Sequence, residues 1–103
     1  MTQKEKSLSL GRDIDSWYNY IIEKMNGRKY ISTDEGELWF LKNKGGAFHI
    51  CVFESPLYGF IIEHAKSTEE ADLQMAIDGR SWPLLDYDTP EDMLRVMLRE
   101  IEG

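Results

Sequence analysis

The sequence predicts an α+β fold: an antiparallel sheet of about four strands, with an N-terminal helix and one or two C-terminal helices packed on it. In the central stretch, from Lys29 to Lys66, short runs of β-branched and aromatic residues alternate with turn residues. Apolar residues at helical spacing precede this stretch and return near the C-terminal end. The length of 103 residues predicts a single domain over residues 1–103.

The segment before the sheet is expected to contain one helix. Residues 1–10 are polar apart from Leu8 and Leu10, so we expect a loose N-terminal segment that docks at one of these leucines. From Asp13 to Met25 apolar residues recur every three or four positions, which predicts an amphipathic helix. Asn26-Gly27 should end it, because both residues accept the left-handed conformation.

Four strands are predicted in a meander, and they cover residues 29–33, 37–42, 47–53 and 59–65. Apolar side chains lie on both faces of the second and third strands, whereas a half-solvated sheet would alternate cleanly. Either helices cover both faces, or one face contacts another copy of the chain, so a homodimer is compatible with the sequence.

The segment after the sheet has two interpretations. Ser67 and Glu70 match a capping box, which predicts a short helix to Asp78 that stops at Gly79. The alternating apolar residues before Asp78-Gly79, a hairpin signal, favour a pair of strands instead. Residues 80–88, including Trp82-Pro83, are expected to form a loop. Thr89-Pro90 then opens a final helix, since threonine caps and proline suits the first position.

Charge is distributed unevenly along the chain. The net charge is −7, and residues 67–103 hold ten acidic residues against three arginines, which accounts for all of it. This acidic third should repel nucleic acids and anionic membranes and would accept a partner protein with a basic surface. The alternative is an acidic surface that only confers solubility. The candidate interaction surface comprises Glu69, Glu70, Asp72, Asp78, Arg80, Trp82, Asp86 and Asp88.

Motifs for catalysis, cofactors and metals are missing from the sequence. It has no phosphate-binding loop, nucleophile elbow or paired zinc ligands, so we expect no cofactor and no metal. The single cysteine, Cys51, fits a reducing compartment, and the start of the sequence lacks the apolar core of a signal peptide. No apolar run is long enough to cross a membrane. The expected location is therefore the cytoplasm.

The two histidines are the remaining candidates for chemistry. A four-residue hairpin loop over 55–58 would place His49 opposite His64 and Cys51 on the same face. Two imidazoles and a thiol are ligand types that zinc prefers, but a fourth protein ligand is missing and the neighbours are apolar. A loop that is one residue longer or shorter would move His64 to the other face.

These observations favour a non-enzymatic interaction or regulatory protein that binds another protein through its acidic C-terminal surface. A sharper form of this expectation is an inhibitor that mimics nucleic acid, with carboxylates that occupy the basic groove of a partner, as in proteins of phage or mobile-element type. The alternative is a small enzyme that uses His49 and His64 with a nearby carboxylate.

Overall fold

An antiparallel sheet of five strands, hydrogen-bonded in sequence order, forms the centre of the protein. The computed structural model describes residues 1–72 and 77–102. The predicted α+β fold is confirmed, with five strands in place of about four. The elements are α1 (Gln3–Ser9), α2 (Ile14–Lys24), β1 (Tyr30–Ser32), β2 (Leu38–Leu41), β3 (Ala47–Phe53), β4 (Gly59–Ala65), α3 (Thr68–Asp72), β5 (Ile77–Pro83), a 3₁₀ turn (Leu84–Asp86) and α4 (Pro90–Glu102).

The N-terminal segment forms a short helix where a loose segment was expected. Thr2 caps α1: its hydroxyl accepts from the Glu5 backbone N–H at 3.1 Å, and the Glu5 carboxylate accepts from the Thr2 N–H at 3.2 Å. The prediction that Leu8 or Leu10 docks this segment on the core is wrong, since both side chains are exposed. Ser7 is fully buried instead. The capping box was therefore the signal for this helix.

Helix α2 confirms the predicted amphipathic helix. The Asp13 carboxylate caps it by accepting from the Ser16 backbone N–H at 3.0 Å. The chain leaves the helix at Met25 and reaches Gly27, whose φ of 94° is a left-handed conformation that suits glycine. The five apolar residues that recur at helical spacing in this segment are Ile14, Trp17, Tyr18, Ile21 and Met25. Four of them are buried, and Tyr18 packs against these four.

One face of the sheet, here called the helix face, forms the main core with α2 and α4. Antiparallel pairing stacks its aromatic and aliphatic side chains across neighbouring strands. The sheet contributes Phe40, Phe48, Ile50, Phe60, Ile62 and Trp82, and α4 contributes Met93, Leu94, Met97 and Ile101. Helix α4 begins at Pro90 after the predicted threonine cap, since the Thr89 hydroxyl accepts from the Asp92 N–H at 3.1 Å.

The opposite side of the sheet, here called the second face, is covered at one end. Ala71 of α3 packs there against Trp39, Ala47 and Ala65, all buried. Ile31 and Leu41 flank this smaller cluster. At the other end of the same face Phe53 remains 42% exposed. The two faces are therefore both apolar, as the sequence indicated. The helix face carries the main core, and the second face is covered at one end by α3.

The segment 77–83 is a fifth strand, so both interpretations of this region need correction. The helix α3 ends at Asp72, and β5 continues through Asp78 and Gly79, where a helix end or a hairpin turn was expected. The predicted loop over 80–88 begins instead inside this strand. Residues 73–76 of the predicted helix lie outside the described residues.

Close backbone contact explains why β5 docks on β4. The strands approach so closely at Gly59 that an added Cβ would lie 2.2 Å from the Trp82 carbonyl oxygen. Trp82 pairs with Phe60 and is buried on the helix face. Burial of an indole of this size stabilises the strand by about 2 kcal/mol or more, which local sequence propensity does not reveal.

The packing of α4 leads to the first prediction. Met97 is fully buried beneath the helix, whereas the Arg95 side chain is 62% exposed and pairs with Asp92. We expect Met97→Ala to lower the free energy of unfolding by about 2–5 kcal/mol, and Arg95→Ala by no more than about 0.5 kcal/mol. Urea unfolding followed by circular dichroism measures both, and equal losses would contradict the orientation of α4.

Candidate functional site

The register between β3 and β4 decides which side chains share a face, and it differs from the prediction by one residue. Phe53 pairs with Gly59, Phe48 with His64, and His49 with Glu63. The connecting loop therefore comprises the five residues 54–58. The predicted pair of His49 and His64 is wrong, because the two histidines lie on opposite faces of the sheet.

The extra loop residue is Glu54, whose carbonyl accepts from the Tyr58 N–H at 2.9 Å. Tyr58 was already in the predicted loop and anchors it to the rest of the chain. It adopts a φ of 48°, unusual for a residue with a side chain, and is 2% exposed. Its hydroxyl accepts from the Ile14 backbone N–H at 3.1 Å, and its carbonyl accepts from the Leu84 N–H at 3.2 Å. These bonds fix the loop to the start of α2 and to the 3₁₀ turn.

The observed register brings His49, Cys51 and Glu63 together on the second face. One ligand-type atom from each residue lies within 4.8 Å of the others, and all three side chains are half-buried. The Cys51 thiol donates to the Glu63 carboxylate at 2.7 Å. This cluster of His49, Cys51 and Glu63, called the triad below, is the strongest concentration of reactive groups among the described residues.

Strand β2 and the residue before it orient the imidazole of His49. Its Nδ1 lies 2.9 Å from the Leu38 carbonyl oxygen, so a proton on Nδ1 leaves the lone pair on Nε2. Nε2 in turn lies 3.4 Å from a carboxylate oxygen of Glu37. The ring stacks on Trp39, with centroids 5.3 Å apart and an interplanar angle of 27°. Packing and hydrogen bonding thus hold the ring in one orientation.

Next to the triad, the second face ends in a shallow apolar depression of about 590 Å³. Its apolar lining comes from Phe53, Leu57, Ile61 and Pro83, among others. Polar groups also line it, including Gln3 from α1 and Asp86 from the 3₁₀ turn. We call this region, from Phe53 to Asp86 across the strand ends, the open end of the second face.

The acidic residues of the candidate interaction surface have different surroundings. Glu69 is exposed on α3, and Asp86 is exposed beside the open end. Glu70 caps the start of α3, since its carboxylate accepts from the Lys66 N–H at 3.0 Å while the Ser67 hydroxyl accepts from the Glu70 N–H at 3.1 Å. The carboxylate of Glu70 therefore has a structural role.

Of the candidate contact residues Trp82 and Arg80, Trp82 was wrongly predicted, whereas the Arg80 side chain is 53% exposed. Trp82 is 1% exposed in the core, so it cannot contact a partner on the folded surface. The Arg80 guanidinium stacks over the Trp82 ring at 4.2 Å and pairs with Glu100 at 2.9 Å. It also donates to the Tyr87 hydroxyl at 3.2 Å. The side chains of Asp72 and Asp78 lie outside the described part of the structure.

Arginines neutralise part of the acidic third. Of the eight carboxylates in this third whose side chains the structure describes, four form ion pairs: Asp88 with Arg12, Asp92 with Arg95, Glu100 with Arg80, and Glu102 with Arg28. Arg12 and Arg28 come from the neutral first part of the chain. The unpaired negative charge of residues 67–103 is therefore lower than the sequence suggests. This weakens the interpretation of the protein as a nucleic-acid mimic.

Comparison with protein-family models, with curated proteins and with solved structures gave no match. Within the described residues, no helix combines the length and the apolar character needed to cross a membrane. Function must therefore be inferred from the triad and the open end themselves.

The environment of His64 yields a prediction on pH. Burial lowers the pKa of His64 on the helix face, the charge of Lys42 lowers it further, and Glu100 opposes the shift. The unfolded chain therefore binds this proton more readily than the folded chain. Stability contributed by neutral His64 is present above the ordinary histidine pKa of about 6.5 and is lost as pH falls through the lower folded pKa.

We expect the free energy of unfolding of the wild type to be lower at about pH 5.5 than at about pH 7.5. The decrease should be smaller in His64→Gln, because glutamine has no titrating ring. Urea unfolding at the two pH values measures the difference. His49→Gln, on the other face, provides the matched histidine control. An identical loss of stability in the wild type and His64→Gln would contradict the assignment.

Proposed function

We propose that this protein is a non-enzymatic interaction protein that binds another protein through the open end of its second face, with acidic residues of the C-terminal third at the rim. The observation that carries the proposal is the unequal cover of one sheet face. Trp39 at one end of it is buried under α3, and Phe53 at the other end is 42% exposed. An exposed aromatic within a contiguous apolar patch is typical of protein-binding surfaces.

The surroundings of Phe53 indicate the chemistry of the partner. Ile61, Leu57 and Pro83 extend the apolar surface, and Asp86 places negative charge at its edge. The fitting partner presents an apolar side chain framed by lysine or arginine. Complementary charge at a rim affects the rate of association and the choice of partner more than the affinity.

The depressions on the surface support binding more than catalysis. The open end is lined mainly by apolar side chains, and a second depression of about 540 Å³ between α2 and β1–β2 includes Met25, Tyr30 and Phe40. Catalytic pockets combine a cavity with convergent polar groups. In the described chain, the triad lies on the sheet surface and is not among the lining residues of either depression.

Two neighbouring residues of β3 test the proposal. Phe53 and Val52 are 42% and 43% exposed, respectively, and lie on opposite faces of the sheet. We expect Phe53→Ser to weaken partner binding about tenfold or more, because truncation of an aromatic anchor costs about 2 kcal/mol. Val52→Ser, the matched control, should bind as the wild type does.

The measurement is affinity capture from the cells that make the protein, with the wild type and both variants immobilised at equal density, followed by binding kinetics with the captured partner. Asp86→Asn should slow association and reduce its salt dependence, while Asp88→Asn, already paired with Arg12, should not. Capture of the same partner by wild type and Phe53→Ser at equal affinity would refute the proposal.

A further inference from the structure

We propose that the triad is a binding site for a divalent transition metal of the zinc class. His49, Cys51 and Glu63 offer an imidazole nitrogen, a sulfur and a carboxylate oxygen, the three ligand types that zinc takes from proteins. Their ligand atoms lie within 4.8 Å of one another. In a tetrahedral zinc site such atoms are roughly 3.3–3.6 Å apart, so small side-chain rotations close the triad around an ion.

The sheet supplies the placement that a metal site requires. His49 and Glu63 are directly paired across β3 and β4, and Cys51 follows His49 by two residues on the same face. The three side chains therefore project from two hydrogen-bonded strands, which limits the movement of their backbones. Sites on regular elements hold ligand geometry better than sites on loops do.

The contacts around His49 resemble the outer shell of a metal ligand. Metal-bound imidazoles commonly donate their second N–H to a backbone carbonyl, which fixes the tautomer and the ring orientation. The Leu38 carbonyl oxygen, 2.9 Å from Nδ1, is placed to accept such a bond. Stacking on the buried Trp39 restricts the ring further.

Local charge also favours a cation. Glu63 and Glu37 contribute two carboxylates, and within the described chain no lysine or arginine lies within salt-bridge distance of either. Glu37 lies 3.4 Å from Nε2 of His49 and its side chain is 31% exposed. It is therefore the candidate fourth ligand, or the group that holds a metal-bound water. On binding, the Cys51 thiol releases its proton to solvent and coordinates as the thiolate.

This inference replaces the expectation of no metal. That expectation rested on the missing metal motifs and on a cluster of His49, Cys51 and His64 that lacks a fourth ligand. The observed register of β3 with β4 exchanges His64 for the carboxylate of Glu63. On the other side of β3, Glu37 lies within reach of His49. The site does not depend on the proposed partner binding, and either can fail without the other.

Cobalt(II), an optical probe for zinc sites, tests the proposal directly. We expect Co²⁺, added to the reduced protein, to give a thiolate-to-cobalt charge-transfer band that saturates at one ion per chain and disappears when Zn²⁺ is added. Cys51→Ser should abolish the band. His49→Gln, Glu63→Gln and Glu37→Gln should each weaken binding by about tenfold or more.

His64→Gln is the matched control, because it removes a histidine from the opposite face of the same strand pair, and its affinity should stay within about twofold of the wild type. A measurement without variants guards against misfolding: Zn²⁺ should slow the alkylation of Cys51 by iodoacetamide in the wild-type protein. No charge-transfer band and no protection in the wild type would overturn the proposal, as would equal losses in His64→Gln and His49→Gln.

Discussion

The pairing of β3 with β4 is the constraint on which the rest of the structure depends. Seven residue pairs fix this register, from Ala47 with Ala65 to Phe53 with Gly59. Because side chains alternate between faces, this one alignment directs Phe48, Ile50, Phe60 and Ile62 to the helices. The same alignment leaves His49, Cys51 and Glu63 on the other side. A slip of one residue would turn the side chains of one strand to the other face, and would separate Glu63 from His49 as well as Phe60 and Ile62 from Phe48 and Ile50. Core packing and the position of the polar cluster are therefore determined together.

Charge pairing complements this arrangement at the ends of the sheet. The Glu102 carboxylate at the end of α4 accepts from Arg28 and from the Asn43 N–H, and so joins α4 to the α2–β1 connection and the β2–β3 turn. Burial alone would raise the pKa of the Glu102 carboxyl. Hydrogen bonds from Arg28 and Asn43 outweigh this effect, together with the positive charges of Arg28 and Lys42, and the pKa of Glu102 is lowered. Part of the acidic third is thus engaged in holding the fold, whereas Asp86 is exposed at the open end.

Local sequence signals predicted most elements but not the contacts between distant ones. Strands β3 and β4 and helices α2 and α4 follow from apolar periodicity and capping residues, which act within a few positions. The fifth strand depends on burial of Trp82 against Phe60 and on the close approach at Gly59, and neither is visible in residues 77–83 alone. The triad was missed for a related reason: the loop is anchored through Tyr58 to Ile14 and Leu84, far along the chain. In this loop Phe53, and not Glu54, pairs with Gly59. His49 and Cys51 were recognisable as candidates, whereas Glu63 and Glu37 required the correct register.

Nuclear Overhauser contacts across β3 and β4 test the central claim most directly, since the register determines both the core and the candidate metal site. The account predicts cross-strand backbone contacts between directly paired residues, Cys51 with Ile61 and His49 with Glu63. Contacts of Cys51 with Ile62 and of His49 with His64 as the directly opposed pairs would show the register with a four-residue loop. That result would contradict the placement of the triad and of the open end of the second face.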